Sequence, residues 1–107
     1  MKYLEEDQIA VWKQRHGAIY ALEIGEYIAH VRKPSPTDLK LAHQASNGDP
    51  LKMHENLLDN CWLGGPPEVK TEDGLYLSAA FAMGELVAEL LPEYEKRMHS
   101  RPTGKNR

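Results

Sequence analysis

The fold of this chain is decided by residues 34–65, PSPTDLKLAHQASNGDPLKMHENLLDNCWLGG, which contain two helix starts in succession. Ser35 supplies a capping hydroxyl, and Pro36 is suited to the first helical position. Asp38 lies three residues after Ser35, at the position of the acidic residue in a capping box. Asp49-Pro50 repeats the signal fourteen residues after Ser35. Because glycine tolerates the left-handed conformation at a helix end, Asn47-Gly48 should stop the first helix.

The second helix of this pair is predicted to have one buried face. Residues three and four positions apart share that face: Leu51, His54, Leu57, Leu58, Cys61 and Trp62. Trp62 is expected to lie buried against the last helix of the chain. The run Gly64-Gly65-Pro66-Pro67 should end the helix, since glycine and proline both interrupt helical structure.

The residues before Pro34 predict a helix and then a β-hairpin. Residues 3–15 can form a helix that packs through Leu4, Val11 and Trp12. The strand-forming runs GAIYALEI and EYIAHVRK meet at Gly25-Glu26, and glycine at the first central position suits a two-residue type II′ turn. Alternation predicts that one side of the hairpin faces the core: Tyr20, Leu22, Ile24, Tyr27, Ala29 and Val31.

A long apolar helix is predicted after the loop GGPPEVKTEDG, with Thr71 as its N-cap. Its apolar stripe is wide: Leu75, Ala79, Ala82, Met83, Leu86, Val87 and Leu90, extended by Tyr76, Ala80, Phe81 and Leu91. Either the whole stripe is core, or part of it, with Tyr94 and Met98, contacts another chain. Pro92 lacks an N–H and is expected to kink or end the helix.

These patterns predict an α+β fold with an N-terminal helix, a β-hairpin and a three-helix C-terminal part. A chain of 107 residues with 41% hydrophobic and 27% charged residues is typical of one small globular domain, which we place at residues 1–99. Residues 100–107 form a basic tail that is expected to be disordered.

Composition also bears on location and partners. No run approaches eighteen apolar residues, so no membrane span is expected, and acidic residues stand where a signal peptide would be apolar. A single cysteine excludes an internal disulfide and agrees with a reducing cytoplasm. A net charge of −3 argues against nucleic-acid binding, which usually requires a basic face.

We find no pattern that predicts catalysis, a metal or a cofactor. The candidate metal ligands are His16, His30, His43, His54, His99 and Cys61. His54 and Cys61 lie two helical turns apart, about 10 Å, which is too far to bind one ion directly. Cys61 sits near a helix C-terminus, where the dipole disfavours a thiolate, so we interpret it as a core residue. The expectation is a protein that is not an enzyme.

Four basic residues could form a small patch that meets an acidic partner: Arg32, Lys33, Lys40 and Lys52. The alternative is that they are ordinary solvated surface.

Four segments between residues 17 and 90, in this order and spacing, resemble tail assembly chaperones of long-tailed bacteriophages and prophages. The segments are Val31-Arg32-Lys33-Pro34, Asp49-Pro50-Leu51-Lys52, Asn60-Cys61-Trp62-Leu63-Gly64-Gly65 and Thr71-Glu72-Asp73-Gly74-Leu75-Tyr76-Leu77. The resemblance implies a non-enzymatic role in the cytosol of a host bacterium. Proteins of this family coat the long tape measure protein, keep it soluble, help to recruit tail tube subunits and leave the finished particle.

The resemblance implies the phage tape measure protein as partner, with the tail tube protein as a second candidate and self-association into a homo-oligomer compatible with the role. Combined with the wide stripe, it suggests a set of partner-binding residues: Arg32, Lys33, Met83, Leu86, Leu90 and Tyr94. Two alternatives stay open, a phage virion structural or head–tail connector protein and a small regulatory protein. A very long tape-measure-like reading frame downstream would favour the chaperone.

Overall fold

The computed structural model describes residues 2–99 of the chain and the side chains of residues 7–94. The elements follow in the order α1 (Lys2–His16), β1 (Ile19–Ile24), β2 (Tyr27–Arg32), α2 (Pro36–Ser46), α3 (Pro50–Cys61), β3 (Trp62–Gly64), α4 (Pro67–Thr71) and α5 (Asp73–His99). The strands form an antiparallel sheet in the order β1-β2-β3. The predicted α+β class and the order of helix, hairpin and helices are confirmed. The predicted tail at 100–107 lies outside the described residues.

The hairpin has the predicted turn and the predicted inward face. Gly25 has a φ of +62°, which favours glycine, and the pairing of Ile24 with Tyr27 leaves a two-residue turn. On the inward side, Leu22 pairs with Ala29, and both side chains are buried. This face is therefore the part of the sheet that the helices cover.

The helix ends between residues 35 and 50 also form as the sequence predicts. Ser35 caps α2 with a complete capping box, in which its Oγ accepts from the Asp38 N–H and its own N–H donates to the Asp38 carboxylate. Asn47 adopts the left-handed conformation that closes α2. Asp49 caps α3 by accepting the N–H of Leu51. Helices α2 and α3 pack against each other as a helical hairpin.

The third strand was not predicted. Helix α3 ends at Cys61, before the glycines, and the next three residues form β3, which pairs Trp62 with Val31 and Gly64 with His30. Trp62 is therefore a half-buried strand residue. It is not the last residue on the buried face of α3, as the sequence had predicted. The ammonium of Lys70 lies 5.1 Å from the centre of the Trp62 ring, which is a cation–π contact.

Two predictions concern the ends of the last helices. Thr71 does not cap α5, because it is the final residue of α4 and its Oγ1 donates to the carbonyl of Pro67. Of the two outcomes predicted for Pro92, a kink or the end of the helix, the second is excluded, because α5 continues through Pro92 to His99. The proline removes only the hydrogen bond that would reach the carbonyl of Ala88, and both residues are exposed, so water can solvate that carbonyl.

Helix α5 supplies much of the core, because it packs against both α3 and β1. Six of its described side chains are buried: Ala79, Ala80, Met83, Leu86, Leu90 and Tyr94. The Tyr94 hydroxyl donates to the carbonyl oxygen of Pro34 at 2.6 Å, and burial raises the pKa of this tyrosine. The end of the hairpin is thereby tied to the far part of α5.

The span Asp73–Tyr94 of α5 contains an apolar stretch that is long enough to cross a membrane by length and composition alone. The core helix of a soluble protein meets the same criterion. In this fold one side of the helix is domain core, and its open side carries the exposed carboxylates of Glu85, Glu89 and Glu93.

Candidate partner-binding surface

The four apolar residues predicted to bind a partner are inside the domain. Met83, Leu86, Leu90 and Tyr94 are 0%, 7%, 5% and 9% exposed. The prediction that they form an accessible surface is contradicted by this burial. The physical reason is that the inward face of the hairpin, together with α3, covers this side of α5 and leaves the other side open.

The two predicted basic residues are engaged within the domain. Arg32 donates from Nη1 to Asp38 Oδ2 at 2.6 Å and from Nη2 to the carbonyl of Asn60 at 3.1 Å. Lys33 Nζ lies 2.5 Å from Glu93 Oε1. Both cations already have acidic partners, so they present little free positive charge to another protein.

The pair of Arg32 and Asp38 makes stability depend on pH. The hydrogen bond from Arg32 is the main reason that the pKa of Asp38 lies below its ordinary value, so folding favours the ionised carboxylate. A lowered pKa gives stability that is present above the unfolded-state pKa of about 3.9 and is lost as pH falls through the folded-state pKa.

At about pH 6, we therefore expect the urea midpoint of the wild type to be higher than that of the variant Asp38→Asn. Below about pH 4 this difference should shrink, because the carboxyl of the unfolded chain becomes protonated. Asparagine keeps an acceptor oxygen for the Ser35 N–H, so the comparison isolates the charge. An advantage of constant size at both pH values would show that the charge is not responsible.

The open side of α5 carries a second apolar stripe. Its members are spaced alternately four and three residues apart and are called here the outer stripe: Leu77, Phe81, Gly84, Ala88 and Leu91. Leu77, Phe81 and Leu91 are 40%, 58% and 45% exposed. The spacing is that of a helix seam which packs along another helix, and the small side chain of Ala88 allows close approach.

A groove beside the outer stripe widens this apolar surface. It has a volume of about 520 Å³ and lies between α5 and the start of α3, where Pro50, Leu51 and His54 line it. The His54 ring rests directly on α5, because a Cβ at Gly84 would come within 2.6 Å of it. Gly84 is thus needed for the close approach of the two helices, and the groove floor consists of backbone and imidazole.

A larger groove of about 740 Å³ separates α1 from the outward face of the sheet. The rings of Trp12 and His30 line it, with their centres 5.7 Å apart and their planes tilted by 42°, and Ile28, which is 50% exposed, forms part of its wall. This groove was not predicted from the sequence. The available signal was Ile28 itself, an apolar residue at an outward position of β2.

Cys61, the one cysteine of the chain, lies in the core of the domain. Cys61 is fully buried, and burial raises the pKa of its thiol to about 11, so it stays protonated near neutral pH. Within the described residues, no three His, Cys, Asp or Glu side chains are placed to hold a metal ion together. Comparison of the chain with protein-family models, with curated proteins and with solved structures found no match.

Proposed function

We propose that this protein is a tail assembly chaperone, which binds helical segments of a phage tape measure protein in the bacterial cytosol and aids tail tube assembly without enzymatic activity. The observation that carries the proposal is the outer stripe, an exposed seam with the spacing that receives an amphipathic helix. The resemblance of residues 17–90 to this family is the reason for choosing a tape measure protein as the partner.

The outer stripe fits a helix in size and shape. Leu77 and Leu91 are fourteen positions apart, or about 21 Å at 1.5 Å per residue, which is close to four helical turns. Phe81 is the most exposed large apolar residue of the domain's described part and serves as the anchor. Ala88 leaves a depression in which the partner's large apolar side chains can pack, next to the His54 ring that covers Gly84.

The length of the seam sets the stoichiometry. Each copy covers about 21 Å of a partner helix, whereas a tape measure protein is very long, so many copies should bind one target. The apolar contact supplies most of the affinity, because the basic residues of the hairpin are already paired with the acids of their own domain.

Co-expression tests this function. With the tape measure protein from the same genome, wild-type protein should keep that partner soluble in a complex containing several copies. The double variant Leu77→Ala/Phe81→Ala should recover at least about tenfold less complex, because it removes two apolar contacts from the seam. The variant Leu41→Ala is the matched control, since Leu41 is 54% exposed but lies on α2, and it should behave as wild type.

The chaperone function fails if the tape measure protein is equally insoluble with and without this protein and pull-down recovers no complex. Retention of the protein in purified phage particles would instead support a virion structural or connector role.

A further inference from the structure

The outer edge of β1 has backbone groups that lack a hydrogen-bond partner among the described residues. β1 is an edge strand, paired on one side only, with β2. Because the Lys33 N–H donates to the Ala18 carbonyl and bonded positions alternate in an antiparallel pair, Tyr20, Leu22 and Ile24 bond to β2. The N–H and C=O groups of the residues between them, Ile19, Ala21 and Glu23, therefore point outward. No hydrogen bond from another described segment reaches them.

A groove with acidic walls runs beside this edge. It has a volume of about 440 Å³ and is bounded by residues 20–23 of β1 and by Ala82, Glu85, Leu86 and Glu89 of α5. The side chains of Glu85 and Glu89 are exposed along its helical wall, and Glu23 adds a third exposed carboxylate on the strand. An added strand would thus lie against β1 with carboxylates on its other flank.

The spacing of the acids matches that of a strand. Glu85 and Glu89 are one helical turn apart, about 6 Å along the axis. Side chains at alternate positions of an extended strand lie about 6.6 Å apart on one face. Two basic side chains at positions i and i+2 could therefore reach both carboxylates while the backbone pairs with β1.

The same charges argue against a second copy of this chain as the occupant. Pairing β1 with β1 of another copy would bring two sets of like-charged carboxylates together, which is a known means of keeping sheet edges from pairing with themselves. A basic strand is attracted by the same charges.

From the free edge and its charge, we propose that β1 is a docking site for an extended protein segment with Lys or Arg at alternate positions, which adds to the sheet as a fourth strand. This goes beyond the chaperone function and does not depend on a tape measure partner. Its groove shares only Glu85 with the groove beside the outer stripe.

The probe is a fluorescein-labelled peptide of sequence TKVRVT, added to the full chain. Fluorescence anisotropy should show binding that weakens with salt, and hydrogen exchange at the Ala21 and Glu23 amides should slow. Two control peptides separate pairing from simple attraction: TEVEVT reverses the charge, and TVKRVT places the same residues with the bases adjacent. Both should bind at least about tenfold more weakly, because one loses the charge contacts and the other their spacing.

Two variants locate the site. Glu85→Gln/Glu89→Gln should weaken TKVRVT binding about tenfold, whereas Glu68→Gln, at an exposed acid on α4, should not change it. Ala21→Pro removes an outward N–H without touching the ladder to β2, so the protein should fold and lose peptide binding. If that variant does not fold, a TKVRVT peptide N-methylated along its backbone replaces it and should fail to bind wild type.

Three results would overturn the proposal. The first is equal binding of TKVRVT and TVKRVT, which indicates unspecific attraction. The second is a dimer of the free protein that Ala21→Pro abolishes, which assigns the edge to a second copy. The third is much tighter peptide binding by a chain that ends at His99, which assigns the groove to the chain's own basic tail.

Discussion

Met83→Ala should lower the free energy of unfolding by about 2–5 kcal/mol, the usual cost of removing a large apolar side chain from a packed core. Met83 is fully buried on the inner side of α5. Phe81, two residues earlier on the same helix, is 58% exposed. Phe81→Ala should therefore change the free energy of unfolding by no more than about 0.5 kcal/mol while weakening partner binding. Urea denaturation followed by circular dichroism measures both.

The comparison distinguishes the two sides of the helix. If Met83→Ala left stability unchanged and abolished partner binding, the inner side of α5 would be the interface. That side would then not be packed against the hairpin. Unchanged partner binding in Phe81→Ala, with wild-type stability, would remove the outer stripe as the binding surface.

Gly65→Ala should destabilise the domain by about 1–3 kcal/mol, the range for overpacking a close contact. A Cβ at Gly65 would lie 2.9 Å from both the Cα and the Cβ of Ala29 on β2. Because one of these atoms belongs to the backbone, the segment after β3 must move away from the sheet to relieve the clash. Thermal unfolding should show the loss directly.

The control for this prediction is Gly74→Ala, in the first turn of α5. A Cβ there meets nothing within 4 Å, and alanine favours a helix over glycine by about 1 kcal/mol, so stability should be unchanged or raised. A similar loss of stability in both variants would mean that the close approach of Gly65 to Ala29 is not the cause.

The elements that the sequence predicts are those with chemical signals at their ends. The capping box of Ser35 and Asp38, the left-handed Asn47 and the cap at Asp49 each act within a few residues, so they can be identified without knowledge of the fold. Gly25 is a signal of the same kind for the hairpin. The locations of these turns and helix starts are confirmed for that reason.

The elements that the sequence analysis missed depend on distant residues. A strand of three residues such as β3 is too short to show alternation, and it exists because the edge of β2 lies beside it. The short helix α4 lies within a segment whose glycines and prolines indicate a loop. Thr71 is a residue type that often caps helices, but it is the last residue of α4 and its hydroxyl bonds within that helix.

The candidate surface could be predicted only in part. Periodicity correctly indicates that α5 has more apolar residues than one buried face requires. It does not indicate which face the hairpin covers, because Met83 and Phe81 are both large and apolar and differ only in their direction from the helix axis. Likewise, an Arg or Lys in a sequence gives no sign of whether an acid of the same domain, such as Asp38 or Glu93, already pairs with it.

The hydrogen bond between Tyr94 and Pro34 joins residues sixty positions apart. During synthesis, the ribosome must add these sixty residues after Pro34 before the bond can form. At about 5–20 residues per second, a ribosome needs roughly 3–12 s to proceed from the end of the hairpin to Tyr94. Throughout this interval the inward face of the hairpin lacks the helix that covers it, and a nascent chain with bare apolar surface is prone to aggregate. The yield of folded protein should therefore depend on the pace of translation across residues 34–94.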